Sequence, residues 1–268
     1  MRIDYAALPP AVRRAIEQRT GVIRNARSAE AGTNCAVAAV LETDSGAVFL
    51  KGVTKDDPGV VTQQKEAELA PFVAEVSPRL LWHEQVEEWD LLAFEAIEEP
   101  RHADYTPGSP DVPKVLAMLD RLAGIPCPPV AMFAAQRRWG KMLDDPQDAK
   151  AFAGSTLLHT DWHQFNVLIT GERAWLVDWA WAARGAAFID PALIVPRLIA
   201  AGHTPVEAEG WAQKSAAWQE ADQQAVTLFS VAVARMLRTL ADKDPHGEWR
   251  RPMVEAATAW ARHRGTTP

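Results

Sequence analysis

The chain has 268 residues, 48% hydrophobic and 24% charged, which is enough apolar content for a substantial core and speaks against disorder. Its formal net charge of −7 argues against nucleic acid as the main partner, because phosphate backbones select basic surfaces. Two cysteines, Cys35 and Cys127, lie far apart and match no metal or redox spacing, in keeping with a reducing compartment.

Behind a proline pair, Pro9 to Arg19 carries Ala11, Val12, Ala15 and Ile16 at helical spacing, so a short leading helix is expected. That segment lacks the continuous apolar run of a signal peptide. Nothing later approaches the roughly 18 apolar residues of a membrane span, so a soluble cytoplasmic protein with no membrane partner is expected. Val22 to Ala26, Ala36 to Leu41 and Ala47 to Val53, separated by turn-forming residues, predict three antiparallel strands. Thr62 to Val76 predicts a helix that Pro71 should break or kink. Arg79 to His83 and Asp90 to Ile97 predict a further strand pair joined through the acidic Glu84 to Glu88 segment.

Glu98 to Pro113 is rich in proline, glycine and charge, and marks an expected boundary between two lobes. Beyond it, helices are expected over Val112 to Ala123, Ala131 to Trp139, Pro146 to Ala153, Asp190 to Ala201, Pro205 to Gln219, Ala221 to Asp242 and Trp249 to His263. The expected class is therefore α+β. Residues 1–97 form an antiparallel-sheet domain with a leading helix, and residues 98–268 form a mainly helical one.

The chemistry concentrates in Leu157 to Trp179, where His159, Asp161 and Asn166 precede a short apolar strand and Asp178. Phosphoryl transfer from a nucleotide asks for such a set. One carboxylate, Asp161, orients the acceptor hydroxyl and takes its proton late in transfer. An amide oxygen, Asn166, and a second carboxylate, Asp178, are hard ligands of the kind magnesium prefers beside phosphate oxygens. Taken alone, Asp161 reads as a loop carboxylate capping a backbone amide. The matching intervals to Asn166 and Asp178 favour catalysis. His159, on the apolar run before the loop, reads as packing beneath it. His159, Asp161 and His163 together raise a metallohydrolase alternative, but no second cluster among the seven histidines completes a zinc site.

Lys51, on a predicted strand, and Glu66, in the next predicted helix, have the order expected of a phosphate-holding lysine and the carboxylate that orients it. Of the eleven tryptophans, Trp162, Trp179 and Trp181 fall around the motif, where core or rim packing is the default reading.

With His159-Thr-Asp161, Asn166, Val177-Asp178-Trp179, Phe49-Leu-Lys51 and Lys65-Glu66-Ala67, the chain resembles the aminoglycoside phosphotransferase and choline kinase-like family, the small-molecule branch of the protein-kinase-like fold. The resemblance implies a bilobal architecture and an ATP- and Mg2+-dependent transfer to a hydroxyl of a small molecule. Aminoglycosides, other antibiotics, amino alcohols and sugars are admissible acceptors. It implies Asp161 as the catalytic residue, Lys51 and Glu66 as the phosphate-gripping pair, and Asn166 with Asp178 as metal ligands. Nucleotide contacts would come from Thr33 and Asn34 in the covering turn and from the Glu95 carbonyl and Ile97 amide at the hinge. Asp190 would brace the catalytic loop. The covering turn Ala31-Gly-Thr-Asn34 holds a single glycine, a departure from the protein-kinase glycine-rich loop. Glu98, Glu99, Asp104, Glu220 and Asp222 could line a pocket for a cationic acceptor. A kinase-fold regulatory protein with little turnover is the alternative.

Overall fold

The computed structural model describes residues 2–29, 35–244, 247 and 250–268. It is mixed α+β, and its contacts divide the chain into two compact units. The first comprises Met1–Arg101 and Trp175–Ala180; the second comprises His102–Ala174 and Trp181–Pro268.

The first unit is built on a five-stranded antiparallel sheet. Its strands are β1 (Ile23–Ser28), β2 (Val37–Thr43), β3 (Gly46–Thr54), β4 (Leu80–Val86) and β5 (Trp89–Glu95), in the order β1-β2-β3-β5-β4. Helix α1 (Pro10–Thr20) brings Val12 and Ile16 into one apolar cluster with Leu50, Trp89 and Leu91. Helix α2 (Val60–Leu69) brings Ala67 into another with Leu92 and Phe94. The period of two along a strand explains the split: Leu91 and Leu92 point to opposite faces, and β5 is buried on both. On β3 the same alternation sends Leu50 to the α1 face and Lys51 to the α2 face. Gly52 then returns to the α1 face, where a Cβ would lie 2.7 Å from Leu91 Cδ2 and 2.9 Å from Val37 Cγ1. Only glycine fits beside the lysine.

The three predicted N-terminal strands are present with ends shifted by one or two residues. The predicted helix 62–76 is shorter: α2 stops at Leu69, and Pro71 lies in a 3-10 turn, Ala70–Phe72, because proline cannot supply the next helical N–H. Most of the acidic segment 84–88 is strand rather than connector. β4 runs to Val86 and the turn narrows to Glu87 and Glu88, with Glu87 at φ 49°.

The second unit holds α3 (Asp111–Ala123), α4 (Ala135–Gly140), α5 (Ile189–Ala200), α6 (Pro205–Ala212), α7 (Ala216–Gln219), α8 (Gln223–Lys243) and α9 (Arg250–His263). Val112, Val115, Leu116, Leu119 and Leu122 give α3 a continuous buried stripe. Phe229 of α8 takes Trp139, Phe152 and Phe188 edge-on at 5.2, 5.3 and 5.8 Å. The sheet Phe133–Ala134, Ala183–Gly185 and Thr156–Leu158 leads directly into the loop carrying Asp161.

Three helical expectations are corrected here. Phe133–Ala134 pairs as a strand before α4 begins, since tertiary pairing outweighs local helical pattern. Residues 146–152 form a 3-10 segment that Asp145 caps through the Gln147 N–H. The predicted helix 205–219 breaks after Ala212 and restarts at Ala216, which lets Trp218 pack 6.5 Å from Trp260. No helix among the described residues is long and apolar enough to cross a membrane.

Candidate active site

Within the first unit, β3 aims Lys51 at α2, and its Nζ donates to Glu66 Oε2 at 2.7 Å and to Asp178 Oδ1 at 3.1 Å. Glu66 Oε1 accepts the Trp179 backbone N–H at 3.3 Å, while the Trp179 indole donates to Ser77 Oγ. Lys51 and Glu66 are both buried. Burial alone would lower the lysine pKa, but the Glu66 and Asp178 carboxylates outweigh it and hold the ammonium firmly charged. The same burial presses the Glu66 carboxyl upward against the pull of Lys51. Asp178 sits at φ 65°, a left-handed conformation costing a non-glycine residue on the order of 1–3 kcal/mol. Its neighbours hold it there: Trp179 is pinned on both sides, and Leu176 donates to the Val76 carbonyl at 2.8 Å.

At the end of β5, Glu95 pairs in register with Val48 and carries an ion pair to Arg79. Ile97 lies two residues beyond the strand. Thr33 and Asn34 lie outside the described residues.

Within the second unit, the loop after Thr156–Leu158 is fixed from below by Asp190. One of its carboxylate oxygens accepts the His159 N–H at 2.8 Å and the other the Thr160 N–H at 2.9 Å. Burial pushes this carboxyl upward, and the two amides work against that. The bracing role expected of Asp190 is what these bonds perform. His159 is fully buried, and its Nδ1 accepts the Asp161 N–H at 3.2 Å, so it packs beneath the loop as expected. Thr160, a β-branched residue, is held at φ 67°. Its hydroxyl donates to the Trp181 carbonyl at 2.7 Å and accepts from Arg138 Nη1 at 2.8 Å. Strain at Thr160 therefore places its neighbour Asp161 and is offset by three hydrogen-bonding groups around it, the Asp190 carboxylate, the Trp181 carbonyl and Arg138.

Asn166 Nδ2 donates to Asp161 twice, to the backbone carbonyl at 3.1 Å and to Oδ2 at 2.9 Å. With the NH2 end so engaged, the amide oxygen is the end left to ligate a cation. The other carboxylate oxygen of Asp161, Oδ1, accepts from Arg197 Nη2 at 3.2 Å. His163 caps the following 3-10 turn by accepting the Phe165 N–H. Burial, and after it the Arg197 guanidinium, pushes its imidazole down to about 4, so it is neutral at physiological pH. Among the described residues, no group of three or more His, Cys, Asp or Glu side chains is arranged to hold a metal ion.

Two residues of this loop's surroundings went unnoticed in the sequence. Arg197 had a readable signal: it stands seven residues after Asp190, two turns along one helix and so on the same face. Arg138, on the short helix α4, had none.

No family model matches the chain, and no curated protein matches its sequence. Solved structures do match its fold. The choline kinase from Streptococcus pneumoniae aligns with a TM-score of 0.62 at 12% identity, over 94% of this chain and 99% of that one. A thermostable mutant of an aminoglycoside phosphotransferase, in ternary complex with ADP and hygromycin B, gives 0.66 at 12% over 96% and 100%. A choline/ethanolamine kinase family protein from Mesorhizobium loti gives 0.60 at 17% over 98% and 92%. The chain thus has the protein-kinase-like fold of these small-molecule kinases, with an antiparallel-sheet N-terminal part and a helical C-terminal part.

Proposed function

We propose that the protein is an ATP- and Mg2+-dependent phosphotransferase that moves the γ-phosphoryl group to a hydroxyl of a small molecule. The observation that carries this reading is the buried Lys51 ammonium held between Glu66 and Asp178. A cation kept charged and unsolvated by two carboxylates is a poor device for stability, since an apolar replacement often serves as well. It is a good one for gripping the α- and β-phosphates of a nucleotide. The fold supports the same reading, because the similar structures include one crystallised with ADP and one with AMP.

Asp161 orients the acceptor hydroxyl. As the acceptor oxygen bonds to the γ-phosphorus and the bond to the β–γ bridging oxygen breaks, its proton passes to the Asp161 carboxylate and ADP leaves. Asn166 fixes Oδ2 of that carboxylate, and Asp190 and Thr160 fix the backbone beneath it. The Asn166 amide oxygen and the Asp178 carboxylate are the hard donors that would hold Mg2+, which neutralises phosphate charge when bound. Glu95 and Ile97 would meet the adenine through backbone atoms, and Thr33 and Asn34 would cover the phosphates. Such a reaction belongs in the cytoplasm, where ATP is held.

The test is γ-labelled ATP turnover by wild type and Asp161→Asn, beside thermal-shift titration with MgATP. Transfer should fall by at least about a hundredfold in the variant. The nucleotide-induced rise in melting temperature should persist. Equal turnover by both proteins, or no nucleotide shift in either, would overturn the reading.

A further inference from the structure

Two guanidinium groups flank the Asp161 loop within the second unit. Arg197 reaches Asp161 Oδ1 with Nη2 alone, and its side chain is 18% exposed. Arg138 donates from Nη1 to the Thr160 hydroxyl and, at 3.3 Å, to the Trp181 carbonyl. Its guanidinium carbon lies 4.6 Å from the Trp139 ring centroid and 5.3 Å from that of Trp181, which is 40% exposed. Among the described residues, no carboxylate comes within ion-pair distance of Arg138. An arginine presents five donors, and each of these engages the protein through a single nitrogen. Aromatic stacking leaves the rim of the Arg138 guanidinium as its remaining hydrogen-bonding edge.

Structural duty does not account for both groups. Asp161 needs only one counter-charge, and Thr160 is already tied by Asp190 and by the Trp181 carbonyl. Burial lowers the pKa of both guanidiniums; Asp161 offsets part of that cost at Arg197, while Arg138 feels Asp161 and Asp190 only from beyond ion-pair distance, so an anion in contact would offset it further. The acids that sequence alone offered for a cationic acceptor are partly committed elsewhere. Asp104 accepts from the Thr106 N–H and hydroxyl, and Asp222 caps α8 through the Gln224 N–H. His163 is neutral and adds no negative charge.

We infer that the acceptor carries a carboxylate or phosphate near its reacting hydroxyl, and that Arg138 and Arg197 are the specificity residues that bind that anion. An ammonium group beside the hydroxyl, as in an amino alcohol, would face both guanidiniums and be repelled. Bidentate pairing of planar guanidinium with carboxylate or phosphate makes arginine, rather than lysine, the fitting residue here. The inference rests on the phosphotransferase reading.

Small molecules extracted from lysed cells are sorted at neutral pH on anion- and cation-exchange resins. Each fraction, and the unretained one, is then offered with γ-labelled ATP to wild type and Asp161→Asn. Asp161-dependent label should appear in molecules from the anion-retained fraction. Label arising only from the cation-retained or unretained fractions overturns the inference and leaves the phosphotransferase reading standing. No Asp161-dependent label from any fraction removes both.

With the acceptor so found, Arg138→Gln should raise its KM roughly ten- to a hundredfold, while the KM for ATP changes less than about twofold. Arg138→Lys should restore part of the loss. A rise in the ATP KM of the same size would mean that the arginine serves the nucleotide phosphates, and would also overturn the inference. Should Arg138→Gln fail to fold, Arg197→Lys carries the same KM comparison.

Discussion

At Lys51, charge and burial oppose each other, and the outcome can be read in stability as well as binding. Removing the ammonium by Lys51→Met leaves Glu66 and Asp178 facing one another without a cation, with Glu66 almost wholly buried. Breaking a buried pair in this way costs roughly 3 kcal/mol. The penalty has a pH dependence whose sign follows from Glu66. Burial and Asp178 both raise its folded pKa, and the variant loses the lysine that opposed them. A carboxyl whose folded pKa is raised takes up a proton on folding, so the variant gains relative stability as pH falls. Urea unfolding of wild type and variant at pH 7.5 and pH 5 should show a gap that narrows in acid. A gap of constant size would mean that Glu66 does not respond to the loss of its partner. The variant should also lose most of its nucleotide-induced thermal shift.

Among the elements, α2 matters because it carries Glu66, and its seat is fixed by a buried anion that no sequence pattern announced. Asp90 stands in the apolar run of β5 and is wholly buried. Gln63 of α2 donates to both its carboxylate and its carbonyl at 2.7 Å. Gln85 donates at 2.9 Å, and His83 Nε2 lies 3.1 Å away. Burial would raise this carboxyl, but the surrounding donors win and hold it below the usual carboxylate range. A depressed folded pKa gives stability that is complete above the ordinary carboxylate pKa and is lost as pH falls through the folded one. Asp90→Asn, which turns an amide NH2 toward other donors, should cost roughly 2–3 kcal/mol near neutrality. The difference in unfolding free energy between wild type and variant should shrink below about pH 4, toward zero in stronger acid. If it is the same at pH 3 as at pH 7, Asp90 is not the charged hub of this contact. Short apolar runs bounded by turn-forming residues made β2, β3 and β5 legible beforehand, as strands of a sheet covered on both faces read. Asp90 was not, because its partners come from two other elements, α2 and β4. The break at Ala212 was missed for a related reason, since local periodicity continues past the point where packing stops rewarding it, whereas Pro71 announced the end of α2.

For the molecule as a whole, the legible part was the order of chemistry along the chain: strand lysine, helix carboxylate, then the Asp161, Asn166 and Asp178 set. Intervals between polar residues survive in a one-dimensional reading, and their protein-kinase-like setting is the fold observed. Arg138 beside Thr160 and the inward path of Trp175–Ala180 come instead from contacts distant in sequence. That six-residue segment belongs with the first unit although more than seventy residues of the second precede it. It supplies the Trp179 N–H to Glu66, the Trp179 indole to Ser77, the Leu176 N–H to Val76 and the Asp178 carboxylate to Lys51. Leu176 and Trp179 are buried there, each contributing roughly 1.5–3 kcal/mol of apolar transfer. A fragment ending at Arg101 keeps all five strands and both helices of the sheet unit, yet lacks this insertion. Its Lys51 and Glu66 would be left beside an open apolar groove. The fragment should melt broadly and well below the full chain by circular dichroism, and a synthetic peptide spanning residues 173–182 should sharpen and raise the transition. A peptide with Trp179→Ala should do so far less. A fragment that melts cooperatively and ignores the peptide would show that the sheet unit is complete without its returning segment.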